Sequence, residues 1–283
     1  MVTIKDVARV AGVSTATVSR VIHDGGHVGA ACKARVKKVI DELGYRPNTN
    51  AQALVKRTTY TLGVVTPKLS MSFFGTLASG VEDSAREKGY KLLMSNSLYK
   101  TESELDAINS LRNHDCQGII LHSEYSDEET LIKLAKDVPG LVLINRYIPS
   151  LANRCVWLDN ESGAKKATEY LLAYGHRQFA VVTSIYQNRD PSTRLESVKN
   201  TLESYGLTLP KKAVAESTAN IDGGELAIKE LLAKGVKFTA VVAYNDLMAI
   251  GAIHALFDAG LRVPEDVSVI GFDDLPAARS CRP

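Results

Sequence analysis

Residues 1–57 read MVTIKDVARVAGVSTATVSRVIHDGGHVGAACKARVKKVIDELGYRPNTNAQALVKR. Thr3 is a good N-cap, with Asp6 three residues on where a capping box places its acid. Ile4, Val7, Ala8 and Ala11 then share one helical face. Gly12-Val13 interrupts that helix. Ser14 caps a second helix, in which Thr15, Thr17, Ser19 and Arg20 are interleaved with Ala16, Val18, Val21 and Ile22. Two short helices joined by a glycine-containing turn predict a helix-turn-helix unit. In such a unit the N-terminal part of the second helix meets base edges in the major groove. A third helix is expected from about Ala30 to Leu43, where Val36, Val39, Ile40 and Leu43 close a three-helix core and Gly44 fits the stop.

Charge separates this reading from that of a generic helical bundle. Residues 1–57 carry ten Lys/Arg against four Asp/Glu, a net of +6, while the whole chain is only +2. The remainder therefore carries a net of −4, and the basic excess is the footprint of a phosphate-binding module. The second helix also presents small hydroxyls instead of the Glu/Lys pairs of an ordinary solvated face. After Tyr45-Arg46-Pro47, the run from Thr49 to Lys56 is compatible with a helix but too short to persist alone, since isolated helices below ~12–15 residues are marginal. Leu54 within it is either a packing contact or an apolar wedge for a minor-groove step; its neighbours alone favour packing.

At 283 residues, 45% of them apolar, the chain is long enough for a large core and more than one domain. It has no 18-residue apolar run and no apolar signal-peptide core at its start, so no membrane span and a cytoplasmic location are expected. Cys32, Cys116, Cys155 and Cys281 are scattered without a C-x-x-C pair, and the six His do not cluster with acids. Reduced packing cysteines, no metal and no cofactor are expected.

From residue 58 short apolar runs alternate with amphipathic helices. Strands are expected at Thr61–Thr66, Tyr90–Ser95, Gln117–His122 and Leu141–Ile144, and in a second set at Cys155–Leu158, Gln178–Thr183, Val214–Glu216, Ala240–Ala243 and Val267–Gly271. Continuous apolar strands suit parallel sheets covered on both faces, and βα alternation predicts doubly wound lobes. Nine strands are many for one such sheet, so a division is expected near residues 146–154, at Pro149-Ser150 and Asn153. The predicted architecture is an all-α helix-turn-helix head (1–46), a hinge helix and linker (47–60), and an α/β body of two doubly wound parallel-sheet lobes (61–146 and 147–283). Ligands of such sheets sit beyond the carboxyl ends of strands. The polar and aromatic residues there are Ser70, Phe73 and Phe74, Asn145-Arg146, Asp159-Asn160, Arg194, Asn245-Asp246 and Asp273-Asp274. Each has a plainer reading: Asn245 and Asp246 as helix caps, Asp273-Asp274 as a turn, the phenylalanines as core. There is no G-x-G-x-x-G after a strand, no P-loop and no G-x-S-x-G elbow, and Asp273 and Asp274 on an extended segment would point apart. A non-enzyme is expected.

The motifs TIKDVARVAGVSTATVSRVI, YRPN-x-x-A-x-x-L, AYNDLMAIGAI and VSVIGFDDLPAAR occur in the order seen in the LacI/GalR family of bacterial repressors, which the chain resembles over essentially its whole length. PGLVLINRYIP, NRCVWLDN, FTAVVAYND and GFDD bring it nearest to the galactose-repressor branch. The resemblance implies a periplasmic-binding-protein-like body and a homodimer, or a dimer with a paralogue, that binds double-stranded operator DNA and is released by a galactose-like sugar in the inter-lobe cleft. It implies base reading by Thr15, Ala16 and Arg20, and phosphate contacts by Thr3, Ser14, Thr17 and Ser19. Asn48, Ala51 and Leu54 become the hinge helix, with Leu54 as the minor-groove wedge. Sugar contacts fall on Asn145, Arg194, Asn245 and Asp273, with Phe74 lining the pocket. His23 replaces the family's usual Asn, and R-L-E-S-V at Arg194 replaces R-L-x-G-[YW]. Family members continue several dozen residues beyond the position of Pro283 and cross back to the first lobe. That lobe is therefore expected to be incomplete, with low stability and a weak response to sugar. The two-lobed body alone would also fit a sugar-binding transport-type protein, or a regulator answering to another hexose or a nucleoside.

Overall fold

A computed structural model describes residues 2–46, 58–123, 125–186 and 188–282. The chain divides into two compact units, Met1–Thr61 with Asp115–Gln117 and Leu62–His114 with Gly118–Pro283. In the first unit, α1 (Ile4–Ala11), α2 (Thr15–Ile22) and α3 (Ala30–Leu43) form the expected three-helix head. The capping box is complete: the Asp6 N–H donates to Thr3 Oγ1 at 3.4 Å and the Thr3 N–H to the Asp6 carboxylate at 3.0 Å. Gly12 closes α1 with a left-handed φ of 65°, a conformation in which a side chain would be strained. Ser14 Oγ then accepts the Thr17 N–H at 3.1 Å to start α2. Val7, Val18 and Val36, one from each helix, are completely buried at the centre, with Ala8, Ala11, Val21 and Val39 around them. Of the expected hinge, Asn48, Ala51 and Leu54 lie outside the described residues.

The second unit holds two separate sheets. The first is β1 (Thr61–Thr66), β2 (Lys91–Asn96), β3 (Gly118–His122), β4 (Leu141–Ile144) and β5 (Cys155–Val156), in the order β2-β1-β3-β4-β5. Its helices are α4 (Ser72–Glu87), α5 (Thr101–Asn113) and α6 (Glu128–Asp137). The second sheet is β6 (Phe179–Ser184), β7 (Val214–Ser217), β8 (Ala240–Ala243) and β9 (Ser268–Ile270), in the order β7-β6-β8-β9. It carries α7 (Asn160–Ala173), α8 (Arg189–Ser204), α9 (Ile221–Ala233) and α10 (Asp246–Asp258), followed by the short α11 (Pro276–Ser280). The β1–β3, β3–β4 and β4–β5 ladders and those of the second sheet are parallel. Among the described residues no helix is long and apolar enough to cross a membrane.

Three expectations need correction. Cys155–Val156 does not open the second lobe; it pairs with β4, Leu143 opposite Cys155 and Ile144 opposite Val156. The chain therefore leaves the first sheet after Val156 and not within 146–154, because a two-residue strand cannot start a sheet alone and finds its ladder on the free edge of β4. Burial on both faces holds for the central strands, with β6 and β8 buried throughout. It fails for β2, whose Leu93 and Met94 are each 38% exposed; as an edge strand, β2 has a neighbour on one side only. Finally, the helical pattern in the sequence after β6 runs from Thr193 to Tyr205, but α8 already starts at Arg189, four residues earlier. Pro191 lies in its first turn, where the missing N–H would have had no helical partner anyway. This shift puts Asp190 on the helix, one turn before Arg194 and on the same face.

Candidate functional site

In both sheets the strand order reverses once, between β1 and β3 and between β6 and β8. Connections leaving such neighbours diverge to opposite faces and open a crevice at the strands' carboxyl ends. The crevices of the two sheets make one cleft, which together with the open space at its mouth holds about 520 Å³. Asn145, Arg194, Asn245, Asp273 and Phe74, the five expected ligand residues, all line it.

One wall is aromatic. Phe74 is buried and meets His122 edge-to-face at 4.9 Å and Phe73 at 5.2 Å. Burial pushes the His122 imidazole down to about 4, so this wall is uncharged at neutral pH. Tyr99 and Tyr186, from opposite sheets, stack with ring centres 5.5 Å apart at the cleft lining.

The other wall is polar and centred on Arg194. Its Nε donates to Asn160 Oδ1 at 2.7 Å, its Nη1 to the Tyr244 carbonyl at 2.5 Å, and its Nη2 lies 3.8 Å from Asp273. The guanidinium sits 3.7 Å over the Phe272 ring and 4.6 Å from the Tyr244 ring, a cation–π arrangement that immobilises it. Asp190 closes the network, accepting from Asn145 Nδ2 at 2.7 Å and from Asn160 Nδ2 at 3.0 Å. Asn145 (φ 58°) and Asp273 (φ 102°) both hold left-handed backbones, a region non-glycine residues occupy rarely and often at functional sites.

The plainer readings are partly realised as well. Asn245 Oδ1 caps α10 by accepting the Met248 N–H at 2.9 Å. Asp246 accepts the Leu275 N–H at 2.6 Å and so fastens the 272–275 turn. That turn points Asp274 outward to Arg279 and Asp273 inward.

Burial pushes the Asp273 carboxyl up to about 7; Arg194 opposes the rise, and Asp246 and Asp190 add to it. A carboxyl whose folded-state value is raised contributes stability that is present below its unfolded value and lost as pH climbs through the folded one. For Asp273 the window runs from about 4 to about 7. His122 acts in the opposite sense, since its depressed value makes the fold lose stability as pH falls from 6.5 towards 4. The two slopes oppose each other in the parent chain. Asp273→Asn should remove one of them, so its stability relative to the parent should rise with pH across this window by up to ~1.4 kcal/mol per pH unit. Urea melts at pH 5 and pH 7 measure this, and an unchanged difference would show that Asp273 is not desolvated.

In the head, α2 buries Val18 and Val21 and leaves Thr15, Ala16 and Arg20 exposed, with Thr17 and Ser19 half-buried. Thr3 and Ser14 are exposed at the two helix starts, their hydroxyls engaged in capping.

Two family models match these units: residues 3–48 match the bacterial regulatory proteins of the lacI family, and residues 59–281 match the periplasmic binding proteins and sugar binding domain of the LacI family. This chain belongs to the LacI family. All 283 residues align with the regulator GalS of Salmonella typhimurium at 42% identity, covering 83% of that protein, and with GalR of Escherichia coli at 41%, covering 82%. A solved lac repressor dimer, bound to operator and the anti-inducer ONPF, superposes with a TM-score of 0.85 at 28% identity, over 97% of this chain and 83% of that one. These relatives are transcriptional regulators, and the LacI-family chain described here is a DNA-binding regulator with a sugar-binding type of body, not an enzyme.

Sequence reasoning missed part of this LacI-family cleft. Asp190 was legible only as an acid four residues before Arg194, a pair that shares a helix face once α8 is known to start at Arg189. His122 is the last residue of β3, and Tyr99, Tyr186 and Tyr244 follow strand ends, but aromatic rings at such places read equally well as core. Asn160 stood among the strand-end residues without a role; its role is to join Asp190 to Arg194. Among the described residues no group of three or more His, Cys, Asp or Glu is placed to hold a metal ion.

Proposed function

We propose that this chain is a galactose-responsive repressor that acts as a dimer on a pseudo-palindromic operator in the bacterial cytoplasm. The observation that carries the reading is the pairing, in one chain, of a helix-turn-helix whose second helix exposes Thr15, Ala16 and Arg20 with a cleft that gathers Asn145, Arg194 and Asp273. The 41–42% likeness to GalS and GalR over the whole chain supports galactose as the effector. The lac repressor dimer bound to operator supports a dimer, formed by two copies or with a paralogue. Thr15 and Ala16 are too small to offer many hydrogen bonds, so Arg20 carries direct base readout. Thr3, Ser14, Thr17 and Ser19 hold phosphates, and Asn48, Ala51 and Leu54 order as a hinge helix in the minor groove. Sugar in the cleft shifts the lobes and disfavours the hinge-ordered state. By linkage, operator lowers sugar affinity by the factor by which sugar lowers operator affinity.

The test is operator binding with and without galactose across a salt series. Binding should be sequence-selective, fall steeply with salt as counterions are released, and weaken with galactose; indifference to sequence would sink the repressor reading. Arg20→Ala should cost ~1–3 kcal/mol and relax discrimination at one base pair, read by competition among operator variants. A uniform loss across all variants would make Arg20 a phosphate contact instead.

A further inference from the structure

We propose that Asp24 limits how tightly the head holds the DNA backbone, by occupying Lys33 with a carboxylate that a phosphate must displace. The inference rests on the reading of α2 as the groove-facing helix and adds to it a residue that sets affinity without reading sequence.

Asp24 stands just past the end of α2, after the C-cap His23. Its φ of 48° turns the chain out of the helix, and the next N–H, of Gly25, donates to the Arg20 carbonyl at 2.9 Å. Gly26 then comes against Arg20 itself, since a Cβ placed there would lie 3.4 Å from Arg20 Cδ. The turn is thus built along the stem of the exposed arginine of α2. From it the Asp24 carboxylate pairs with the ammonium of Lys33, in the first turn of α3. Lys33, and Lys37 one turn further on, hold the carboxyl below its usual range, so it is charged at neutral pH. Between Asp6 and Asp41 it is the single acid, against six Lys/Arg. Asp6 is spent on its capping box and on Arg9, and Asp41 lies at the far end of α3. Asp24 is therefore an isolated negative charge set among cations.

The fold does not ask for this charge. A carboxylate beyond a helix C-terminus faces the negative end of the helix dipole, and asparagine accepts the same left-handed backbone and ends helices as well. The Asp24 side chain is 72% exposed and that of Lys33 39%, and ion pairs so placed add little to stability. The charge acts instead on what approaches the head. A DNA phosphate nearing Lys33 meets a cation already neutralised, with an anion beside it, so one fewer counterion is released for each head bound. Backbone contacts carry no sequence information. Weakening them leaves a larger share of binding to Arg20 and the base edges.

The experiment compares the full chain with Asp24→Asn across a salt series on two duplexes, one that the parent chain selects from a randomised pool and a scrambled one of equal length. Asp24→Asn should bind both more tightly, at least ~5-fold at about 0.1 M salt, and its plot of log affinity against log salt should be steeper by ~0.9 for each head bound. The ranking of single-base variants of the selected duplex should not change. Adding Lys33→Gln to Asp24→Asn should return affinity and slope to those of the parent, because the pair again carries no net charge. A double variant that keeps the gain would show that Lys33 is not the cation set free, which overturns the proposal. A slope equal to the parent's overturns it as well. So does weaker binding by Asp24→Asn: with discrimination lost at one base pair it makes Asp24 a base contact, and with a lowered melting temperature it makes Asp24 a structural residue of the turn. If the parent chain selects no sequence, the repressor reading falls, while the slopes on the scrambled duplex still decide the role of Asp24.

Discussion

Gly251→Ala is expected to destabilise the second lobe by about 3–5 kcal/mol, a cost at the upper end of what one methyl group does in a packed core. α9 and α10 cross with their backbones in contact. A Cβ on Gly251 would lie 1.9 Å from the Ile221 carbonyl oxygen and 2.9 Å from the Glu225 nitrogen, and one on Gly224 would lie 2.2 Å from the Met248 carbonyl oxygen. These are main-chain atoms of helices, which cannot rotate away as a side-chain tip could. The added methyl must push the helices apart, and Met248, Ala252 and Ile228, all fully buried, would lose their packing with it. Gly80 is the control. It is also in a helix, α4, but nothing lies within 4 Å of where its Cβ would be. Gly80→Ala should stabilise the chain by ~0.5–1 kcal/mol, through the usual loss of glycine's unfolded-state freedom. Urea denaturation of the two variants should therefore give shifts of opposite sign, and a Gly251→Ala midpoint within error of the parent would refute the close helix crossing.

Arg194→Ala should cost about 3–5 kcal/mol near pH 8, the usual penalty for removing one partner of a buried ion pair, and should abolish effector binding. Arg194 and Asp273 side chains are each only 10% exposed. Without the guanidinium, the Asn160 oxygen, the Tyr244 carbonyl and Asp273 all lose their partner. The cost should depend on pH in a defined direction. Asp273 sits up at about 7 even beside Arg194, whose charge holds it down. Removing that cation raises it further, so at pH 5 the carboxyl is neutral and most of the ionic part of the penalty vanishes. Arg194→Lys should retain part of the stability but little binding, since an ammonium cannot span Asn160 and Tyr244 in the guanidinium's fork or lie flat on Phe272. Equal destabilisation by Arg194→Ala at pH 5 and pH 8 would show that Asp273 is not its energetic partner.

Much of the molecule was legible from the chain alone, for reasons that differ between the head and the body. In the head, the signals act within one or two helical turns. Thr3 and Asp6 are three residues apart, and so are Ser14 and Thr17. The valines that meet at the centre, Val7, Val18 and Val36, stand out as the apolar positions of short polar helices. In the body, the apolar runs located most strands to within a residue or two, because a central parallel strand has no water-facing side and needs no polar residue. Edge strands escape that logic. β2 and β5 read as strands, but their exposure and their place in the sheet depend on what lies beside them.

The site divides along the same line. Asn145, Asn245 and Asp273 were findable because they follow strand ends, and Arg194 because it lies early in the helix after β6; both are rules of position along the chain. Their convergence was not, and neither was Asp190, whose bond to Asn145 spans 45 residues, as the bond from Arg194 to Tyr244 spans 50. By itself, then, the sequence determined the three-helix head, the two-sheet body and the strand ends on which a ligand would sit, since caps, glycine turns and burial periodicity are local chemistry. Only the tertiary structure decided that β5 stays in the first sheet, that α9 and α10 cross through glycines, and that Asp190 holds amides from both lobes. Those outcomes depend on which surfaces pack against each other, and distance along the chain carries no record of that.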